Sequence, residues 1–144
     1  MLFRSVKHLK LLQGLNVWAI NLAANMLTIQ FGEKTKVFLR VSKTERILGR
    51  FGLHVQSKWF LFKDDVLVLT RDTLDEDWNK SFADIGKISR YLSKNKPICV
   101  LKKYSSGNFE MTFGKYKLVV ADIPDKTSES WRILDNVSRI HHVY

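Results

Sequence analysis

The chain has little of what most readable chemistry requires. It has one cysteine, Cys99, in 144 residues, so no internal disulfide can form. A reducing, cytoplasmic setting is the simplest expectation from that count. Its seven glycines never cluster, which excludes a glycine-rich phosphate loop. Two prolines leave no proline-rich linker, and a single domain spanning residues 1–144 is expected. No apolar run approaches the roughly 18–20 residues that a membrane helix needs. Positive charges also break up the N-terminal apolar residues (Arg4, Lys7, Lys10), so no signal-peptide core is present. Acids are scarce: 14 Asp and Glu stand against 24 Lys and Arg, a formal charge of +10.

What is present is a hydrophobic fraction of 45% and an aromatic fraction of 12%, enough for a packed core. The charge is segregated. Residues 34–58 hold seven basic side chains against Glu45 alone. Residues 80–117 hold nine against Asp84 and Glu110. Between them, residues 64–77 hold six acids against Arg71. Such a balance favours an anionic partner, either an acidic protein or a nucleic acid.

One phrase is written twice. Leu27-Thr28-Ile29-Gln30-Phe31-Gly32 and Phe109-Glu110-Met111-Thr112-Phe113-Gly114 alternate apolar and polar residues, and each stops at glycine. The alternation predicts strands with Leu27, Ile29 and Phe31, and again Phe109, Met111 and Phe113, facing a core. Asn16–Leu22 and Ile98–Tyr104 read as the preceding strands, with a Ser105–Asn108 turn in the second copy. Lys36–Val41 and Lys117–Ala121 read as the following ones. Polar segments ending in Arg-Ile then match, Lys43–Ile47 with Ser128–Ile133. An internal repeat of 15–47 and 97–133 follows, each copy an antiparallel meander.

Between the copies, Gly52–Lys63 and Val66–Leu69 predict a hairpin turning at Asp64-Asp65. Residues 72–80 read as an acidic loop. Ser81–Lys94 predicts one amphipathic helix, with Phe82, Ile85, Ile88 and Leu92 on its apolar face and Pro97 beyond its end. A short N-terminal helix closed by Gly14 is expected as well. The fold class is therefore α+β: two related meanders, a central hairpin and one packed helix.

No catalytic, cofactor or metal site is expected. His54 lies on the polar side of its strand without a matched nucleophile or carboxylate. His141 and His142 are adjacent and would point opposite ways on a strand. Cys99 lies in an apolar strand, where an inert thiol is the common case. Asp72, Asp75, Glu76 and Asp77 lack calcium-loop spacing. The candidate partner-binding residues are of two kinds. Trp78, with Asp75 and Asp77, could form an exposed aromatic anchor in the acidic loop. Lys34, Lys36, Arg40, Lys102, Lys103, Lys115 and Lys117 lie in or beside the meander strands, with Tyr104 and Tyr116 interleaved, as a phosphate-binding face would have them.

Leu53-His54-Val55-Gln56-Ser57-Lys58-Trp59 resembles a central Leu-His-Val-Gln-x-x-Trp strand of small uncharacterised bacterial proteins, some of them immunity-like. Leu12-Gln13-Gly14-Leu15-Asn16-Val17 is similar to their opening strand. Arg71-Asp72 is similar to the end of their central hairpin, and Glu129-Ser130-Trp131-Arg132-Ile133 to their closing segment. This chain departs from that pattern over residues 73–80 and in its strong positive charge. The resemblance implies a non-enzymatic protein of bacterial or phage origin that occludes a partner, as an inhibitor does. An acidic protein is the expected partner and nucleic-acid binding the alternative.

Overall fold

The computed structural model describes residues 2–3, 6–105, 108–121 and 131–137. His141-His142, Glu129-Ser130 and Ser106-Gly107 lie outside them. The architecture is mixed α+β.

In chain order the strands are β1 (Leu2–Phe3), β2 (Val17–Ala23), β3 (Met26–Phe31), β4 (Thr35–Leu39), β5 (Thr44–Leu48), β6 (Phe51–Val55), β7 (Lys58–Lys63) and β8 (Val66–Thr70). After the helix α1 (Trp78–Asn95) come β9 (Cys99–Ser105), β10 (Asn108–Phe113), β11 (Tyr116–Ala121) and β12 (Trp131–Asp135). Short 3-10 helices precede β2 (Val6–Leu12) and α1 (Arg71–Asp77).

Two five-stranded sheets share one plan. The first runs β1-β12-β6-β3-β2 and the second β8-β7-β11-β10-β9. Their registers also match. Leu27, Ile29 and Phe31 of β3 oppose Val55, Leu53 and Phe51 of β6. Phe109, Met111 and Phe113 of β10 oppose Val120, Leu118 and Tyr116 of β11. Each sheet then takes a strand from the other half of the chain. β12 enters the first, with Trp131 opposite Val55, and β7 enters the second, with Trp59 opposite Val120. Both tryptophans are buried.

The helical segments are exchanged in the same sense. α1 leads into β9 but packs along β2, while the first 3-10 helix leads into β2 but packs on β9. Side chains from these segments cap the sheet edges: the Ile20 amide donates to Ser89 Oγ (3.1 Å) and the Leu101 amide to Gln13 Oε1 (2.7 Å). One edge donor on each of β2 and β9 is thereby satisfied, which blunts those edges as templates for strand addition. The inward residues of both sheets join Ile85, Ile88 and Leu92 of α1 in one core. An edge-to-face contact between Phe109 and Trp131, with centroids 5.5 Å apart, links the two sheets within it.

Four sequence expectations are corrected. Lys36–Val41 is not the third strand of the first meander. β4 pairs only with β5, and β6 takes the third place. In the second copy, Gly114 (φ +64°) and Lys115 turn the chain at once from β10 into β11. In the first copy, the chain leaves at Gly32 (φ +79°) and returns at Phe51, inserting the β4–β5 hairpin. The match of Lys43–Ile47 to Ser128–Ile133 fails for the same reason over its described part, Trp131–Ile133, because the strand in the position of β12 in the second sheet is β7, not β5. Alternation alone cannot tell an inserted hairpin from a sheet strand, since both have period two.

The acidic stretch 72–80 is not a loop. Thr70 caps the 3-10 helix, accepting from the Asp72 amide (3.1 Å), and Asp77 caps α1, accepting from the Lys80 amide (3.1 Å). Of the acids that read as a solvated loop, Asp77 is the N-cap of α1 and Asp72 lies in the first turn of the 3-10 helix, while Asp75 and Glu76 are exposed along it. Finally, the buried face of α1 is Ser81, Ile85, Ile88 and Leu92, and Phe82 is exposed. Ser81 takes the buried position one residue earlier, within hydrogen-bonding reach of the Leu74 carbonyl (3.5 Å).

Candidate functional site: the hairpin arm over the first sheet

The β4–β5 hairpin is an arm that the second copy lacks, and its two ends are fixed firmly. At its start, the Gly32 carbonyl accepts from Trp18 Nε1 (2.9 Å), and Lys34 Nζ lies over the Trp18 ring, 4.8 Å from its centre. At its end, the Gly49 amide donates to Gln30 Oε1 (2.8 Å), and the Gly49 carbonyl accepts from Asn136 Nδ2 (2.9 Å). Arg50 pairs with Asp135 at 2.8 Å, and the Arg50 carbonyl accepts from the Asn136 amide (3.0 Å). Gln30, Asp135 and Asn136 are all buried. Gly49 is required here: a Cβ would lie 2.5 Å from the Phe31 carbonyl oxygen.

The arm's chemistry follows from its register. Lys36 opposes Ile47 and Phe38 opposes Glu45. Period two places Lys36 and Phe38 on one side of β4, and Arg40 follows in the turn that leads to β5. Val37, on the other side, is buried, but Phe38 is 54% exposed, Val41 76% and Ile47 56%. Among the described residues, no carboxylate lies within ion-pair distance of Lys36, Arg40, Lys43 or Arg46. The arm thus offers apolar side chains among uncompensated cations.

The lysines of the second sheet are differently placed. Lys117 Nζ lies 3.5 Å from Asp65 and 3.7 Å from Glu110, and stacks over Phe62. Lys103 stands opposite Glu110 across the β9–β10 ladder. Lys115 lies over the Tyr91 ring, 4.6 Å from its centre. Lys102 is exposed on edge strand β9. Trp78 begins α1, 38% exposed, with its ring 6.3 Å from that of Phe82; Asp75 and Asp77 are exposed just before it. The structure therefore brings Lys34, Lys36 and Arg40 together on the arm and its base. It leaves Lys102, Lys103, Lys115 and Lys117 on the second sheet, and Trp78, Asp75 and Asp77 at the start of the helix.

Phe38, Val41 and Ile47 are absent from the sequence-based candidates, as are the buried anchors Gln30, Asp135 and Asn136. A signal for Phe38 existed: in the sequence it alternates in step with Lys36 and Arg40, an odd place for a core phenylalanine.

The remaining chemistry-bearing residues are quiet. Burial pushes the Cys99 thiol from an ordinary value of 9.0 up to about 12. Its Sγ lies 3.7 Å from Met111 Sδ, inside the core. Burial also raises the Tyr116 hydroxyl, with Tyr91 and Asp64 adding to the shift. His54 is half-buried on the outer face of the first sheet, between Thr28 and Arg132 in the ladder. Among the described residues, no group of three or more His, Cys, Asp or Glu side chains could hold a metal ion. Likewise, no described helix is long and apolar enough to cross a membrane. The chain matches no family model, no curated protein and no solved structure.

Proposed function

We propose that this chain is a non-enzymatic, cytoplasmic binding protein that covers an acidic surface of another protein, in the manner of an inhibitor or immunity protein, and that the β4–β5 arm makes the central contact. The observation that carries this reading is the exposure of Phe38, Val41 and Ile47 among Lys36, Arg40 and Lys43. Apolar anchors ringed by charge are the usual make-up of a protein-binding surface. Uncompensated cations speed encounter with an acidic partner and set its orientation. The nucleic-acid alternative draws on the basic residues of both meanders, but of these Lys117 and Lys103 on the second sheet face carboxylates of the chain itself. Affinity capture from the source cell tests the proposal. Capture of one acidic protein should survive nuclease treatment and fall at least about tenfold in the double variant Phe38→Ala, Ile47→Ala. Loss of all capture on nuclease treatment would favour the nucleic-acid alternative instead.

A further inference from the structure

The fold leaves one face of α1 uncovered. The helix buries Ser81, Ile85, Ile88 and Leu92. Along another line, four residues apart, stand Trp78, Phe82, Gly86, Arg90 and Lys94. Phe82 is 58% exposed and Trp78 38%, with ring centres 6.3 Å apart, and Arg90 and Lys94 are exposed as well. We propose that this stripe docks a second copy of the chain, α1 against α1 in antiparallel sense, with the two-fold axis passing beside Gly86. The inference uses none of the arm and does not rest on the function proposed above.

Gly86 is the first sign. Glycine in a helix interior is unfavourable. Among the described residues, a Cβ at this position would meet only the movable end of the Arg90 side chain, at 3.6 Å, so packing within the chain does not demand glycine. A bare backbone on an open face lets a second helix come close, since the distance between packed helices is set by the side chains at the contact. The two exposed rings one turn away are the second sign, because clustered exposed aromatics mark interaction surfaces.

Charge identifies the occupant. Asp75 and Glu76 are exposed before the start of α1, and Arg90, Lys94 and Lys96 are exposed at its other end. Among the described residues, none of these five has an ion-pair partner, whereas Lys80 and Asp84 pair with each other at 3.0 Å. Reversing the helix about Gly86 sets the acidic end of each copy over the basic end of the other, at both ends at once. It also sets Phe82 beside Arg90 of the second copy, an aromatic ring beside a guanidinium. The helix dipoles then oppose, which places each basic C-terminal turn with the acids before the other helix. The stripe thus complements itself, which is the requirement of an isologous dimer that closes at two copies.

Each copy carries a formal charge of +10, so the dimer forms against a general repulsion. A single helix face is also smaller than the standard interface of about 800 Å² a side, and a dissociation constant of roughly 10–500 µM is expected. Sedimentation equilibrium at several loading concentrations should show monomer and dimer only. Gly86→Leu, a better helix former, should fold at least as well as the parent and remain monomeric. Reversing the acidic end (Asp75→Lys with Glu76→Lys) or the basic end (Arg90→Glu with Lys94→Glu) should also leave monomers. Mixing those two charge variants should restore a one-to-one dimer, because both ends are then complementary again. A parent that stays monomeric up to about 1 mM would overturn the proposal. So would growth beyond the dimer, a dimer that persists in Gly86→Leu, or no association in the mixture when both charge variants are folded by circular dichroism.

Discussion

Gly49 and Cys99 show how single residues serve the framework. Gly49 sits where the arm rejoins the first sheet, with the Phe31 backbone too close for any side chain: a Cβ would approach its nitrogen to 2.7 Å and its carbonyl oxygen to 2.5 Å. Neither atom is a flexible side-chain end, so the backbone itself must shift. Gly49→Ala should cost roughly 2–4 kcal/mol in chemical denaturation, in the upper range for a point substitution. Cys99 acts through its environment. Its folded-state pKa is raised, so the folded chain holds the thiol proton over a range where the unfolded chain has lost it. The thiol's contribution to stability is therefore fully present below about pH 9 and is lost as pH rises towards about 12. Wild-type stability should fall more steeply over that window than that of Cys99→Ala, as read by urea midpoints at a series of pH values. The native thiol should also react slowly with a disulfide reagent.

At the scale of elements, the arm is separable in a way the sheet strands are not. Phe113-Gly114-Lys115-Tyr116 shows how the first copy would read without it. Replacing residues 33–50 by a single lysine, to give Phe31-Gly32-Lys-Phe51, should leave a folded chain with a lower melting temperature, because the buried Val37 and the Gly49 anchors go with the arm. Partner capture should disappear. Unfolding of that variant by circular dichroism would mean that the arm is part of the core. Much of this level was legible in the chain. The two Phe-Gly phrases give β3 and β10, and Asp64-Asp65, both at positive φ, give the β7–β8 turn. The apolar periodicity gives the helix over 81–94, but not its start at Trp78, because Asp77 as a cap looks in sequence like any other acid of the stretch 72–77. The arm was hidden because its strand has the same alternation as a sheet strand. Its anchors Asp135 and Asn136 lie more than eighty residues from Arg50 and Gly49, and local pattern carries no information about such contacts. Of the candidate site, the basic residues are legible from charge density, Phe38 only from its alternation with Lys36 and Arg40, and Val41 and Ile47 not at all.

At the scale of the whole molecule, the two sheets are bound to each other by exchange. β7 completes the second sheet and β12 the first, so each half of the chain holds a strand the other needs. Chain fragments divided at the Asp64-Asp65 turn should be largely unfolded alone and should copurify as one folded complex when coexpressed, as followed by gel filtration and circular dichroism. Two independently folded fragments would contradict this. The exchange also explains why function should be sought off the framework. Core-facing positions are matched across the halves, so the difference between them lies in what projects outward, above all the arm and its unpaired cations.

The most direct measurement of that claim compares two charge reversals of equal size in the same capture experiment, Lys36→Glu with Arg40→Glu on the arm and Lys102→Glu with Lys103→Glu on the second sheet. Both variants should fold as the parent does, since all four side chains are exposed. The arm pair should lose at least about tenfold in partner affinity, with most of the loss relieved in high salt, where surface charge is screened. The second-sheet pair should stay within about twofold of the parent. Loss in the second-sheet pair with the arm pair unaffected would contradict the account and move the binding surface to β9.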